Sequence, residues 1–408
     1  MTARILTTHT GSLVRPADLV PFLRAREDGE HYDEAAFLET LDRAVGDVVA
    51  QQVGVGLDLV DDGEFPKPGS WSRYVQERLG GFEYRPTSTE REGQIKVFGA
   101  DRQAFPEFYA EYDSTQGHST KRGDWVCVGP ITYRGQDTLR RDIHRLKRAM
   151  DTAGAASGFM PAVGPTSALG ARGTRAHNEH YGSERDFGLA FAEAMREEYR
   201  LIVDAGLSVQ IDDPILANHY DHMGAPTDIR EYRRWFAEQV EIVNYALQGL
   251  PKEQTRYHMC WGSWHGPHVS DVPLEDIVDL LLKIDVGAYV IEGANPRHEH
   301  EWHVWAQGDL PEDRTLVAGV VAHTTTIVEH PKLVAERVIR LAEVLGPERV
   351  IAGTDCGFAQ GPFVQRLHPS VVWAKLRALT EGAALATEVL AGRGGVSAGR
   401  ARWSAGLR

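Results

Sequence analysis

The chain has 408 residues, with 44 Lys and Arg against 58 Asp and Glu, for a formal net charge of −14 at pH 7. An acidic chain without a Lys/Arg-rich block lacks the positive stripe that displaces counterions from a phosphate backbone, so a nucleic-acid partner is not expected. Hydrophobic residues at 42% and charged residues at 25% are the proportions of a folded protein with ample core, and no run of about 18 apolar residues offers a membrane span.

Residues 1–6 read as a short strand and lack the apolar core and cleavage site of a secretory leader, which implies a cytoplasmic protein. Three cysteines, Cys127, Cys260 and Cys356, cannot all pair, and in a reducing compartment they are thiols. Taken in chain order, strand-like runs occur at 5–9, 57–61, 158–163, 209–212, 256–260, 288–292, 316–322 and 349–354. Helical patterns alternate with them. In 183–205, Phe187, Phe191, Met195, Tyr199 and Ile202 fall on one face, with Ser183 placed to cap the first turn and Gly206 to stop the last. In 331–345, Val334, Val338, Leu341 and Leu345 share a face and Gly346 follows.

Eight strands alternating with helices predict an α/β protein, a (βα)8 TIM barrel. A long stretch, 81–135, separates the second and third strands and holds its own extended run, 125–133, so it is expected to form a hairpin-containing excursion. No linker divides the chain. Residues 1–390 are therefore expected to form one barrel, and 391–408, rich in Gly, Ala, Ser and Arg, a tail.

Polar clusters sit where the strands end: His9-Thr10-Gly11-Ser12, Asp61-Asp62-Gly63-Glu64, Asp212-Asp213-Pro214, His258-Met259-Cys260, Glu292 and Asp355-Cys356-Gly357. The carboxyl ends of the strands form the active-site face of such a barrel, so these clusters converge there. His258 and Cys260 are two apart and point the same way. With Glu292 and Cys356 they supply an imidazole, two thiols and a carboxylate, a set that suits zinc better than a hard ion. Zinc keeps a thiol deprotonated but nucleophilic, which points to sulfur as the nucleophile. Cys127, between Trp125, Val126 and Val128, reads instead as a buried structural residue.

These motifs resemble the cobalamin-independent methionine synthases, in particular their carboxyl-terminal catalytic barrel, and the related epoxyalkane:coenzyme M transferases. The resemblance runs from Thr7 to about Leu390 and is carried by Thr7-Thr8-His9-Thr10-Gly11-Ser12, Asp62-Gly63-Glu64, Gln210-Ile211-Asp212-Asp213-Pro214, His258-Met259-Cys260, Ile291-Glu292 and Asp355-Cys356-Gly357. It implies that His258, Cys260, Glu292 and Cys356 are the zinc ligands. It implies also that the backbone at Gly11 and Ser12 holds the carboxylate of an amino-acid thiol, with Glu64 and Asp212 on its ammonium. His9, where the family usually has threonine, and Trp261 join the expected substrate-binding set. The stretch 293–305, with Arg297, His298, His300 and His303, and the segment 261–265 depart from the synthase pattern and suggest an altered pocket.

The expected activity is zinc-dependent transfer of a methyl or alkyl group to a thiol, such as from 5-methyltetrahydrofolate to homocysteine. His323 and Asp213 are the candidates to assist the leaving group. The alternative within enzymes is epoxide opening by coenzyme M; outside them it is a non-catalytic zinc or thiol sensor. The expected partners are a small thiol and an alkyl donor, with a separate donor-delivering protein left open.

Overall fold

A computed structural model describes residues 4–86, 99–115, 123–170, 176–224, 228–307, 310–363 and 365–394. Eleven strands are described: β1 (Leu6–Thr7), β2 (Leu59–Val60), β3 (Leu79–Pro86), β4 (Gly123–Tyr133), β5 (Ser157–Val163), β6 (Ala176–Asn178), β7 (Ser208–Asp212), β8 (Thr255–Met259), β9 (Ala288–Ile291), β10 (Thr315–Val321) and β11 (Val350–Thr354). Eight of them form one parallel sheet in the order β1-β11-β10-β9-β8-β7-β5-β2, with helices in the crossovers. This is the predicted TIM barrel, and all eight predicted strands are among its staves. Every residue of β8 is buried, and so are all but the first of β5, β7 and β10, because helices cover the outside of a parallel sheet while side chains fill its inside.

The first two staves are shorter than predicted, for a reason seen at the seam between them. The Asp58 carboxylate accepts from the Thr7 N–H at 2.8 Å and from the Thr7 hydroxyl, while the Asp58 N–H donates to the Thr7 carbonyl at 3.0 Å. A side chain thus takes a place in the ladder that backbone would otherwise fill, and it brings the ends of the sheet together.

Both predicted helices are present. Glu184–Asp204 begins at Ser183, whose hydroxyl accepts from the Asp186 N–H, and it buries Phe187, Phe191, Met195, Tyr199 and Ile202. Pro331–Leu345 buries Val334, Val338, Leu341 and Leu345, and its cap is His330. The last helix, Pro369–Gly394, continues past the predicted tail boundary; residues 395–408 lie outside the described residues.

The excursion between β2 and β5 is a hairpin, β3 antiparallel to β4, joined by a strand the sequence reading missed: β6 pairs parallel with β4. Two helices, Ala100–Ala104 and Pro106–Thr115, belong to the same excursion. Cys127 is buried within it.

A charged knot fastens the base of the hairpin to the barrel. Glu198 accepts from the hydroxyls of Tyr74 and Tyr133 and from Arg78, and Arg78 also donates to Asp142 at 3.0 Å. The Tyr74 hydroxyl in turn accepts from the Val163 N–H at the end of β5. Removing one member of a buried charged network strands the others. Glu198→Ala is therefore expected to cost about 3 kcal/mol or more, read as a lower denaturant midpoint, whereas Arg140→Ala, which breaks an exposed pair with Asp137, should cost under about 0.5 kcal/mol.

Candidate metal centre

The site is built on alternation along two neighbouring strands. In β7 and β8, Gln210, Asp212, Arg256 and His258 point into the barrel, and the register sets Asp212 opposite His258. The Arg256 guanidinium donates to Gln210 Oε1 at 2.7 Å, to the Thr8 hydroxyl and to the His9 carbonyl, and it lies 3.5 Å above the Phe159 ring. Gln210 Nε2 passes the contact on to Asp212 Oδ1 at 2.7 Å, and the same oxygen meets His258 Nδ1 at 2.9 Å. A chain of hydrogen bonds thus runs from the middle of the barrel to its mouth.

It ends at His258 Nε2, a buried nitrogen with no hydrogen-bond partner. Beside it the sulfurs of Cys260 and Cys356 lie 3.7 Å apart, and ligand atoms of all three residues fall within 4.8 Å of one another. The Cys260 thiol donates to Cys356. That contact, despite the cost of burial, holds Cys356 well below its ordinary pKa, with His258 and His323 adding to the effect, and it pushes Cys260 well up. Burial would depress His258, but Asp212 and Cys356 outweigh it and raise it to about 10. An imidazole and two thiols in this arrangement share protons that a metal ion can displace.

Glu292 lies outside that group of three. Its Oε1 accepts from the Trp261 N–H at 2.5 Å and its Oε2 from Asn295 Nδ2 at 2.8 Å. Burial raises it to about 8, His298 opposing and Asp355 and Cys356 reinforcing the rise, so it shares the electrostatic environment of the thiols. Asp355 braces the same corner by accepting from the N–H groups of Gly293 and Ala294. A side chain at Gly319 would strike Asp355 Oδ1 at 2.3 Å and the Glu292 Cα at 2.9 Å, so this glycine and the irregularity of β10 beside it make room for the brace.

The expected substrate residues separate into two sets. Glu64 is buried at a φ of +61° and its carboxylate lies against Gly11, whose φ is +131°. Burial raises the Glu64 carboxyl, Lys67 opposes the rise, and Asp212 adds to it. The structure therefore brings Gly11, Ser12, Glu64 and Asp212 to one side of His258. Two details differ from expectation: the Gly11 N–H already donates to His9 Nδ1, and Glu64 Oε2 already faces the Lys67 ammonium at 3.3 Å. Lys67 was missed by the sequence reading, although it follows Glu64 by three residues.

The other residues are mostly taken up by packing and by partners of their own. His9 is occupied on both nitrogens, by Gln52 and by Gly11. Trp261 is closed in, stacked at 3.9 Å on His298 with its Nε1 donating to the Val272 carbonyl, so it backs Glu292 and presents no face to a ligand. Asp213 is buried against Ser167 and Tyr257, and Tyr257 points out of the barrel where His258 points in. Arg297, His300 and His303 are exposed. His323 is at the site: it is 3% exposed, neither ring nitrogen has a partner, and burial lowers it to about 4 although Cys356 pulls the other way.

Residues 175–372 match a family described as the catalytic domain of cobalamin-independent synthases. Over 392 residues, 96% of each chain, the protein is 24% identical to the methionine synthase of Thermococcus kodakarensis. It is 23% identical over 397 residues, 91% of each chain, to the 2-hydroxypropyl-CoM lyase of Xanthobacter autotrophicus. In fold it resembles a B12-independent methionine synthase from Shewanella sp. W3-18-1, solved with selenomethionine, at a TM-score of 0.69 and 18% identity, over 96% of this chain and 100% of that one. The barrel, the matched stretch and the full-length relatives agree in what this chain is similar to: the cobalamin-independent methionine synthases and their catalytic domain.

Proposed function

We propose that the protein is a zinc-dependent transferase that moves a methyl or other alkyl group onto the sulfur of a small thiol, with homocysteine as the first candidate acceptor. The observation that carries this reading is the buried trio of His258 Nε2, Cys260 and Cys356: one orphaned nitrogen and two sulfurs within 4.8 Å, a donor set soft enough for zinc and poor for magnesium or calcium. We assign Glu292 as the fourth ligand, its carboxylate oriented by Trp261 and Asn295. When bound, zinc supplies a Lewis acid that keeps a thiol deprotonated and nucleophilic near neutral pH.

The chain's own residues do the rest. Asp212 holds His258 by Nδ1 and so leaves Nε2 free to ligate, the usual division of labour for a metal-binding imidazole. Glu64 and Asp212, beside the backbone of Gly11 and Ser12, form the acidic wall against which an acceptor's ammonium would rest. His323, neutral at pH 7 and unpartnered, is the group we assign to hydrogen-bond the leaving nitrogen or oxygen. Asp213 takes no part in this reading, since its partners lie outside the barrel wall.

One observation favours a second reading, epoxide opening by a sulfonate-bearing thiol such as coenzyme M. Lys67 already provides Glu64 with a cation, so this wall does not require an ammonium from the substrate. Incubating zinc-loaded protein with homocysteine or coenzyme M, and with methyl or epoxide donors, and identifying the thioether by mass separates the two. No thioether with any pair would leave the non-catalytic zinc protein standing.

Three outcomes follow for purified protein. Metal analysis should find about one zinc per chain, and Cys260→Ser or Cys356→Ser should lose most of it while circular dichroism stays native, because the thiols sit at the barrel mouth. Full zinc retention in both variants rules the ligand assignment out.

Asp212→Asn should weaken zinc binding about ten- to a hundred-fold. In the metal-free protein the same change should remove a pH-dependent stabilisation. His258 is raised from 6.5 to about 10, so its contribution is complete below about pH 6.5 and disappears as pH rises through about 10. The difference between wild type and variant in chemical denaturation should shrink over that window; a difference constant from pH 6 to pH 10 contradicts the assigned His258–Asp212 pair.

Glu64→Gln should weaken homocysteine by about ten- to a hundred-fold, the loss of one charge-assisted hydrogen bond, and leave coenzyme M unaffected or slightly improved. Equal weakening of both thiols moves the epoxide reading to first place.

A further inference from the structure

Three side chains, two of them close enough to Cys356 to feel its charge, carry buried nitrogens with no hydrogen-bond partner. Four atoms on three side chains have no hydrogen-bond partner: both ring nitrogens of His323, after β10; His265 Nε2, in the loop after β8; and Arg366 Nε, in the loop after β11. All three loops leave the carboxyl ends of barrel strands. The remaining contacts of Arg366 run to the Ser263 carbonyl, to Gln360 Oε1 at 3.0 Å and to Tyr112, all neutral groups.

The charges around this cluster leave the same gap. Apart from burial, Arg366 is influenced by Tyr112 and Cys356, and His265 by Arg366 and His268. His323 is influenced chiefly by Cys356, Arg366, His265 and His268. No carboxylate is among these groups, and His268 has its own partner in Asp271. The Cys356 sulfur, already flanked by His258 and the Cys260 thiol, is a poor acceptor for the Arg366 Nε–H and for the one N–H that each neutral imidazole carries. A planar guanidinium fork with two imidazoles beside it complements the oxygens of a carboxylate or a sulfonate.

We propose that His265 and Arg366, with the His323 ring beside them, form a subsite for an oxyanion group, carboxylate or sulfonate, on a substrate whose reacting atom reaches Cys356. The loops at the carboxyl ends of the strands then carry two kinds of group: the buried carboxylates Asp61, Asp62 and Glu64 after β2, and the guanidinium and imidazoles after β11, β8 and β10. The anion belongs either to the acceptor thiol or to the alkyl donor. The subsite rests on the proposed transferase reading only for which molecule carries that anion.

The test is a titration of methanesulfonate, and separately of acetate, into the full-length protein at constant ionic strength, followed through the ring signals of His265 and His323 by NMR. Methanesulfonate carries no thiol, so failure to find alkyl transfer leaves this measurement intact. Saturable shifts of both rings are expected, weakened about ten-fold or more in Arg366→Gln and only partly in Arg366→Lys, which keeps the charge but loses the fork. If Arg366→Gln does not fold, His265→Asn takes its place with the same expectation. Absence of saturable shifts in wild type, or equal affinity in a folded Arg366→Gln, overturns the proposal. Comparing 2-mercaptoethanesulfonate with 2-mercaptoethanol identifies the source. A preference for the sulfonate that Arg366→Gln abolishes places the anion on the acceptor; equal binding of the two thiols, with methanesulfonate still bound by wild type, places it on the donor.

Discussion

The structure turns on one buried row of side chains, Arg256–Gln210–Asp212–His258. A guanidinium enclosed in a barrel is costly unless every donor finds an acceptor. Here Gln210, Thr8 and His9 supply acceptors and the Phe159 ring supplies a face. Even so, burial lowers Arg256 to about 9, with Asp61 and Asp212 working against the fall. Because Gln210 spends its amide on Asp212 and on the Thr10 carbonyl, the aspartate cannot turn, and His258 is presented by the nitrogen it does not use. The same row ties β1 to β7 and β8, so the opening loop with Gly11 and Ser12 is registered against the thiols by the contacts that orient the imidazole.

Around that row the loops are fastened to one another more than to the barrel. Arg15 donates to the carbonyls of Glu64 and Ala359 and so joins the loops that follow β1, β2 and β11. The excursion reaches over the mouth from the other side. Asp101 accepts from the N–H groups of His268 and Val269, and the hydroxyls of Tyr109 and Tyr112 meet Trp264 and the His265 backbone. This positions His265 and, through Tyr112, Arg366. An insertion that looks incidental in the chain order is therefore what shapes one wall of the site, a frequent division between a rigid scaffold and its variable loops.

The separation of charge across the mouth has a simple origin. The acidic side comes from a short turn, 61–64, where three carboxylates crowd together; burial and the charge of Asp61 raise Asp62 to about 7. The basic side is assembled from loops after three different strands. Neither side is neutral internally, although Lys67 tempers the first. A ligand with a cationic group and an anionic group finds complementary charge in the two sets of loops.

Much of this was legible in the residues. Parallel staves buried on both faces read as apolar runs, and helices with Ser183 or Gly346 at their ends read by period and cap, because these signals are local. The grouping of the two thiols with His258 was legible because all three stand at polar strand ends on the same face of the barrel. Residues whose role depends on a partner far along the chain were not. Asp58 closing the sheet, β6 joining the hairpin, Trp261 and His9 turned into the interior, Asp213 outside the wall, and Arg366 beside His323 all follow from packing between segments distant in sequence, and no period or spacing encodes which neighbour a side chain will meet. Sequence pattern settles which way a strand residue points; only the closed barrel and its fastened loops decide what stands opposite it.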